Sequence, residues 1–131
     1  MIKNTNSYTL LEVMIAMAVL TIVMVSVFRL QGQSINMLNS VRFYTKAPLL
    51  ARFAMSRFEE ELELDPDIES DSGDFENSPG FSYEITTEEL DSMPEDFEYL
   101  EEYIKTVEVK VSWEDYGLYY ILSTTIFVDM T

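Results

Sequence analysis

The chain has 131 residues and a formal net charge of −16, and it contains no Cys and no His. The absence of Cys excludes disulfides and thiol catalysis, and the absence of His removes the commonest general base and the commonest zinc ligand. Residues 59–131 carry 23 Asp and Glu against two Lys, so nucleic acid repels this half and we expect no nucleic-acid partner.

An apolar run from Tyr8 to Phe28 carries one charged residue, Glu12. At about 1.5 Å per residue the run is long enough to cross a hydrocarbon core roughly 30 Å thick, which predicts a transmembrane helix over residues 8–28. A carboxylate inside such a helix costs about 2.5 to 3.5 kcal/mol at mid-membrane. Glu12 is therefore predicted to have a function and a partner.

Residues 29–64 keep apolar side chains at helical spacing, which predicts that the helix continues beyond the membrane. Pro48 removes one backbone hydrogen bond and predicts a bend near residue 48. The Asp-Pro-Asp sequence at 65–67 predicts that the helix ends near Leu64. Residues 65–80 are mostly Asp, Glu, Ser, Gly and Pro, which predicts an exposed acidic loop.

The remaining sequence predicts a small antiparallel sheet within residues 65–131. Phe81–Ile85 and Val107–Trp113 alternate apolar and polar residues, as in strands with one buried face. A turn at 114–117 and a long strand from Leu118 to Val128 complete a hairpin. Residues 87–104 fit either a short amphipathic helix or an irregular crossover. The predicted fold class is α+β, with a long N-terminal helix packed on the sheet.

Aromatic side chains are predicted to form the core between helix and sheet. These residues are Phe43, Phe53, Phe58, Phe81, Tyr83, Trp113, Tyr119 and Phe127. Near the tip of the predicted hairpin, Tyr116, Tyr119 and Tyr120 are candidates for contact with another protein, because aromatic side chains with a polar end are enriched at interfaces.

The acidic loop offers carboxylates that could bind calcium, namely Asp67, Glu69, Asp71 and Asp74. Counted from either Asp65 or Asp67, the sixth place of the loop holds Ser instead of the Gly that an EF-hand needs, so the loop is not an EF-hand. A solvated acidic loop is the favoured interpretation, with calcium as the alternative and no other cofactor expected. The chain also lacks a Gly-x-Ser-x-Gly motif and a Gly-rich phosphate loop, so we do not expect an enzyme.

The segment from Ser7 to Ala16, Ser-Tyr-Thr-Leu-Leu-Glu-Val-Met-Ile-Ala, resembles the processing motif of type IV pilins and type II secretion pseudopilins. The resemblance implies that a prepilin peptidase removes residues 1–7 as a leader by cutting between Ser7 and Tyr8. It also implies that the new N-terminus at Tyr8 is methylated and that Glu12 is the fifth mature residue. Ser7 stands where the family usually has Gly, and Tyr8 where it usually has Phe.

Two further segments are similar to I-type minor pseudopilins of the general secretion pathway. They are Phe28-Arg29-Leu30-Gln31 and the strand over residues 107–113 with its hairpin. The resemblance implies a pilin-like fold and a structural role in priming or capping the tip of the type II secretion pseudopilus, for protein export across the outer membrane. The implied partners are other major and minor pseudopilins, including the J-type and K-type, the prepilin peptidase and the assembly platform of the inner membrane.

The implied location is the bacterial inner membrane, crossed once, with the C-terminal domain in the periplasm. A minor type IV pilin is the close alternative. A tethered periplasmic adaptor that binds a cation or a basic client without polymerising is the alternative from another class.

Electrostatics explains why assembly would need the spacing between Tyr8 and Glu12. Cleavage creates a cationic amine at Tyr8 at the start of an apolar helix, where an unpaired charge is costly. Glu12 of a neighbouring subunit could neutralise that amine and fix the axial register. Ala16 and Ala18 are small enough to let neighbouring helices approach closely.

Overall fold

The computed structural model describes residues 5–90 and 94–128, and the side chains within these ranges except those of residues 5–8, 98 and 102. The chain divides into two compact units, Met1–Asn39 and Ser40–Thr131. One long helix begins in the first unit and ends in the second, and every strand lies in the second unit.

Helix α1 comprises Thr5–Leu64. Pro48 lies inside α1 without interrupting it, and the bend expected there stays a prediction. Beyond Leu64 the Asp65 amide still bonds the Glu61 carbonyl at 2.9 Å, and the Asp67 amide bonds the Asp65 side chain at 3.2 Å. The Asp-Pro-Asp sequence thus replaces helical hydrogen bonds with a local turn.

Four strands form one sheet in the order β1-β2-β3-β4, and neighbouring strands are antiparallel. Their bounds are β1 Ser70–Asp74, β2 Phe81–Glu89, β3 Ile104–Trp113 and β4 Leu118–Phe127. The hairpin of β3 and β4 confirms the prediction. A 3₁₀ turn at Glu114–Tyr116 connects these two strands and ends at Gly117, whose φ of 62° places it in the left-handed region that suits glycine.

Strand β1 corrects the prediction of an exposed loop over residues 65–80. Its sequence, Ser-Asp-Ser-Gly-Asp, has no apolar residue and no alternation that would indicate a strand. It forms because its backbone pairs with β2, with Gly73 directly opposite Tyr83. The Tyr83 ring covers Gly73 so closely that a Cβ there would lie 3.0 Å from the tyrosine hydroxyl.

The segment left open by the sequence contains both strand and helix. Strand β2 extends to Glu89, and a 3₁₀ helix at Glu95–Tyr103 leads directly into β3. Residues 91–93 lie outside the described residues. Of the two alternatives for residues 87–104, the short helix is closer to the structure. The helix is a 3₁₀ helix, however, and β2 extends four residues beyond the predicted strand end at Ile85 before it.

Within the second unit, the helical residues of 40–64 pack on one face of the sheet. The helix contributes buried side chains at a spacing of three or four residues: Phe43, Ala47, Ala51, Ala54, Met55, Phe58 and Leu62. The sheet contributes a row that includes the fully buried Val107, Val109 and Val111. The Phe43 ring stacks on Phe81 at 5.8 Å between centroids. The predicted α+β layout of a helix on an antiparallel sheet is confirmed.

Three of the aromatic side chains predicted for the core are exposed. Phe53, Tyr119 and Phe127 are 58%, 58% and 66% exposed. Tyr119 and Phe127 lie on the outer face of β4, because the inward positions of that strand are the even-numbered ones. Phe53 lies off the buried stripe of α1. The other five predicted aromatics are buried or half-buried, as expected.

Candidate processing and assembly site

The residues of the predicted processing site lie on the first turns of α1. The helix begins at Thr5, so Ser7, Tyr8 and Glu12 all have helical backbone. Tyr8 and Glu12 are four residues apart, which places them on the same helical face. The backbone therefore puts the Glu12 carboxylate one turn beyond the residue that would become the N-terminus.

Glu12 is exposed, as is every residue from Thr9 to Leu38. The large apolar side chains of residues 9–28 are exposed too, from 46% at Val27 to 67% at Leu10. Ala16 and Ala18 lie on this same exposed segment. A helix that is apolar on all sides needs lipid or other apolar helices around it. Residues 9–28, the apolar part of this segment, are therefore suited to a membrane or to packing against neighbouring helices.

Hydroxyl groups in the apolar segment have hydrogen bonds within the helix. Thr21 Oγ1 donates to the Met17 carbonyl at 2.8 Å, and Ser26 Oγ donates to the Ile22 carbonyl at 2.8 Å. Such bonds satisfy polar groups that would otherwise face hydrocarbon without a partner. Glu12 is thus the one residue in 9–28 whose charge still requires an external partner or water.

Among the described residues, one helix is long and apolar enough to cross a membrane. It covers Thr9–Leu64, and its most apolar window has a mean hydropathy of 2.5 with no buried residue. The capacity to cross a membrane is inferred from the length and the composition of the helix. Together with the motif around Glu12, they indicate a single-pass protein anchored by its N-terminal helix.

The tyrosines proposed for partner contact separate into two groups. Tyr116 and Tyr119 are 48% and 58% exposed, whereas Tyr120 is half-buried and packs against the core. The Tyr116 ring lies 4.3 Å from that of Trp113, and Lys110 Nζ lies 5.4 Å from the centre of the Tyr119 ring. Tyr116 and Tyr119 are therefore available at the surface, and Tyr120 helps to hold β4 on the core.

The proposed calcium ligands do not form a cluster. Asp67, Glu69 and Asp74 are exposed, and among the described residues no group of three or more Asp or Glu side chains is placed to hold a metal ion. Asp71 already has two protein partners, since Oδ1 accepts from the Ser72 amide at 2.8 Å and Oδ2 accepts from the Tyr83 hydroxyl at 3.3 Å. Calcium binding by this loop stays a prediction.

Tyr83 titrates above its usual range because of this environment. Burial raises the pKa of the Tyr83 hydroxyl, and the charge of the adjacent Asp71 carboxylate and its hydrogen bond raise it further. The hydrogen bond joins β2 to β1 across the sheet. Asp71 thus has a structural role that its place in an acidic run does not reveal.

A cleft of about 530 Å³ that the sequence did not reveal lies between α1 and the β1 end of the sheet. Phe53 and Arg57 of the helix line one side, and Asp71, Asp74 and Tyr83 line the other. Arg57 Nη2 lies 3.7 Å from Glu61 Oε1. This ion pair is exposed, so it contributes little to stability. The lining combines carboxylates with the aromatic rings of Phe53, Phe75 and Tyr83.

The comparison with known proteins gives one match, which covers the processing motif and lies within residues 2–28. Residues 2–28 match the family model of the prokaryotic N-terminal methylation motif, which includes Ser7, Tyr8 and Glu12. Comparisons with curated proteins and with solved structures give no significant match. Proteins with this motif are structural rather than catalytic. The N-terminal segment is thus similar to the prepilin signal of type IV pilin-like proteins, the pilins and pseudopilins.

Proposed function

We propose that the chain is a structural subunit of a type II secretion pseudopilus, a minor pseudopilin that primes or caps the filament tip. The observation that carries the proposal is the methylation-motif match over residues 2–28, which coincides with an exposed apolar helix holding a single carboxylate at Glu12. Cleavage between Ser7 and Tyr8 and methylation of Tyr8 are part of the proposal.

Assembly follows from the cost of two unpaired charges. Cleavage leaves a cationic amine on Tyr8, and Glu12 is the only acidic residue before Glu59. When one subunit packs beside another, the carboxylate of one meets the amine of the other, and the two desolvated charges neutralise each other. A wrong axial position leaves both charges unpaired, so the pair sets the register.

Helix packing supplies the rest of the assembly energy. Lipid tails are as apolar as the helix, so association depends on close van der Waals contact rather than on the hydrophobic effect. Ala16 and Ala18 are two residues apart, at the level of the membrane predicted from residues 8–28. They lie on different sides of the helix, so each small side chain lets the backbone of a separate neighbouring helix approach.

The partners and the location extend the same proposal. We place the anchor in the bacterial inner membrane and the domain of residues 40–131 in the periplasm, with the J-type and K-type pseudopilins and the assembly platform as partners. The support is the resemblance of Phe28–Gln31 and of the β3–β4 hairpin to I-type minor pseudopilins. A minor type IV pilin would share the motif, so the processing motif alone does not separate pilus from secretion system.

Intact mass of the full-length protein, extracted from membranes after coexpression with a prepilin peptidase, tests the proposal. The expected product lacks Met1–Ser7 and carries one added methyl group. A catalytically inactive peptidase is the control for nonspecific proteolysis. Ser7→Gly restores the usual family residue and should be processed at least as completely as the wild type.

A different result would favour the adaptor class. If the chain keeps residues 1–7 under conditions that process a control pseudopilin, and Ser7→Gly keeps them too, the pseudopilin proposal is wrong. Given processing, crosslinking of the full-length chain to J-type rather than to pilus subunits would separate the secretion system from a type IV pilus.

A further inference from the structure

The two edge strands of the sheet differ in length and in charge. Strand β1 has five residues, two of which are Asp. Strand β4 has ten residues, Leu-Tyr-Tyr-Ile-Leu-Ser-Thr-Thr-Ile-Phe, with no charge, no Pro and no Gly. Proteins usually protect edge strands by making them short or charged, because an open edge can pair with another chain. Only β1 follows this rule.

The hydrogen bonds between β3 and β4 show which backbone groups of β4 face the open edge. The Val128 amide donates to the Tyr103 carbonyl at 2.7 Å, one position beyond the paired residues Ile104 and Phe127. In antiparallel pairs, residues that bond their partner alternate with residues whose N–H and C=O point away. The even-numbered residues of β4 therefore bond β3, and the odd-numbered residues face outward.

The outward backbone groups belong to residues whose side chains are also exposed. These residues are Tyr119, Ile121, Ser123, Thr125 and Phe127. In the part of the chain that the structure describes, β4 has β3 as its single neighbour in the sheet. The edge thus presents a continuous row of donors and acceptors beside exposed apolar side chains, including Ile121 at 46% and Phe127 at 66% exposure.

Strand β1 shows how the opposite edge is closed. The Thr87 amide bonds the Glu69 carbonyl at 2.9 Å, so the odd-numbered residues of β1 bond β2 and Ser72 faces outward. The Asp71 side chain accepts the outward Ser72 amide at 2.8 Å. The Ser72 N–H, which an added strand would need as a donor, is therefore already bonded to the Asp71 side chain.

We propose that the open edge of β4 binds an extended segment of a basic partner protein, which adds to the sheet as a fifth strand. Backbone pairing with an exposed sheet edge is a known mode of peptide recognition in which main-chain hydrogen bonds give affinity and alternate side chains give specificity. The free groups of β4 and its exposed odd-numbered side chains supply both components.

Charge selects a basic partner over a second copy of the chain. Residues 40–131 hold 23 Asp and Glu against six Lys and Arg, a difference of −17. Two such domains repel each other, whereas a basic segment is attracted. Beside the edge, Glu108 is directly opposite Ser123, and Glu114 and Asp115 precede β4. These three carboxylates outnumber the ammonium of Lys110, which is opposite Ile121. A segment that alternates Lys or Arg with apolar residues fits this surface.

Peptide binding to the full-length protein in nonionic detergent micelles tests the proposal. The probe is a labelled synthetic peptide that alternates Lys with Val, and its control carries Glu in place of Lys. Ser123→Pro removes an amide donor that faces outward and leaves the bonds to β3 intact, while Ser123→Ala keeps that donor.

We expect the Lys peptide to bind the wild type and Ser123→Ala with equal affinity, and added salt to weaken binding. Ser123→Pro should weaken binding about tenfold or more, because it removes one hydrogen bond and places a ring against the incoming strand. The Glu peptide should not bind. In the wild type, the Lys peptide should slow amide hydrogen exchange at the odd-numbered residues of β4, a readout that does not depend on the folding of any variant.

Three results would overturn the proposal. The first is equal binding of the Lys peptide to Ser123→Pro and to the wild type, and the second is unchanged exchange at the odd-numbered amides. The third is a dimer of the chain that Ser123→Pro abolishes, which would make a second copy the occupant of the edge. The proposal does not rest on cleavage at Tyr8, so its failure would leave the pseudopilin proposal standing.

Discussion

The buried ammonium of Lys105 donates a hydrogen bond to the carbonyl oxygen of Pro66 at 3.0 Å. Lys105 is 8% exposed and lies near the start of β3, and Pro66 lies two residues beyond the end of α1. A buried cation needs a partner, and a cation near a helix C-terminus is stabilised by the helix dipole. The bond therefore joins the end of the helix to the sheet at the margin of the core.

Lys105→Met tests the contribution of this hydrogen bond. Methionine keeps much of the apolar stem and loses the donor, so we expect the free energy of unfolding to fall by about 1.5 to 3 kcal/mol. Urea unfolding in detergent micelles, followed by Trp113 fluorescence, measures the change. Lys110→Met, on the opposite face of the same strand, is the matched control and should change stability by less than about 1 kcal/mol. Equal effects of the two substitutions would contradict the role of Lys105.

Thr87→Val should stabilise the protein. The Thr87 hydroxyl is a buried side-chain oxygen without a hydrogen-bond partner in the described part of the chain. Valine has nearly the same shape and no unsatisfied group, so we expect a gain of about 1 kcal/mol in the free energy of unfolding. Thr86→Val, at the exposed neighbouring position, should change stability by less than about 0.5 kcal/mol. A loss of stability in Thr87→Val would show that the hydroxyl is hydrated or bonded in solution.

Gly80→Ala should destabilise the turn before β2. Gly80 has a φ of 85°, and a Cβ there would lie 2.9 Å from Trp113 Nε1. Gly117→Ala isolates the backbone part of the cost, because Gly117 also has a positive φ but open space around a Cβ. The left-handed conformation alone costs about 1 to 2 kcal/mol. Thermal unfolding should therefore show a larger loss for Gly80→Ala than for Gly117→Ala, and the reverse order would exclude a clash with Trp113.

The raised pKa of Tyr83 predicts that the free energy of unfolding of the protein depends on pH in the alkaline range. The pKa of the Tyr83 hydroxyl is raised above its ordinary value of 10.0 in the folded chain, chiefly by burial and then by Asp71. The folded state holds this proton more tightly than the unfolded state, so the contribution is complete below pH 10.0 and is lost as the pH rises through the folded pKa.

Urea unfolding of the wild type and of Tyr83→Phe over this pH range measures the contribution. The difference in the free energy of unfolding between the two proteins should change as the pH rises above 10.0, in the direction of a less stable wild type. A difference that is constant with pH would show that Tyr83 titrates alike in both states. Asp71→Asn removes the second cause of the shift and should reduce the change.

Periodicity predicted the elements that have two distinguishable faces. The alternation in β3 places Val107, Val109 and Val111 in the core, and the helical spacing that places Phe43 and Phe58 there is equally clear in the sequence. Strand β4 has apolar residues at both odd-numbered and even-numbered positions. The pattern therefore identified a strand without showing which of its faces is buried. This explains why Tyr119 and Phe127 were wrongly placed inside.

Long-range pairing explains what the sequence did not reveal. Strand β1 depends on hydrogen bonds to β2 and on the Tyr83 ring that covers Gly73, neither of which leaves a local pattern in Ser70–Asp74. The cleft beside Arg57 was missed for the same reason, because Asp71 and Asp74 of β1 form part of its lining. The motif around Glu12 is local in the chain, and a single stretch of sequence was therefore sufficient to find it.

Glu12→Gln should separate membrane insertion from assembly. Glutamine removes the negative charge with little change in shape, so insertion should be equal or better, because a neutral side chain costs less than a carboxylate in an apolar segment. Assembly should fall, because the amine of a neighbouring Tyr8 would lack its counter-charge. Leaving one member of a desolvated pair unpaired costs about 3 to 5 kcal/mol, which predicts at least a hundredfold loss in the assembly constant.

The measurement is the fraction of membrane-inserted protein that is recovered in filaments or in a crosslinked tip complex. Thr21→Val is the matched control, because Thr21 lies in the same apolar segment and its hydroxyl bonds only the Met17 carbonyl of its own helix at 2.8 Å. Intact mass of both variants must show the same processing at Tyr8 as the wild type, since a failure of cleavage would also block assembly. If Glu12→Gln is processed and enters the complex as well as Thr21→Val does, the charge pair does not drive assembly, and helix packing around Ala16 and Ala18 would have to supply both the energy and the register.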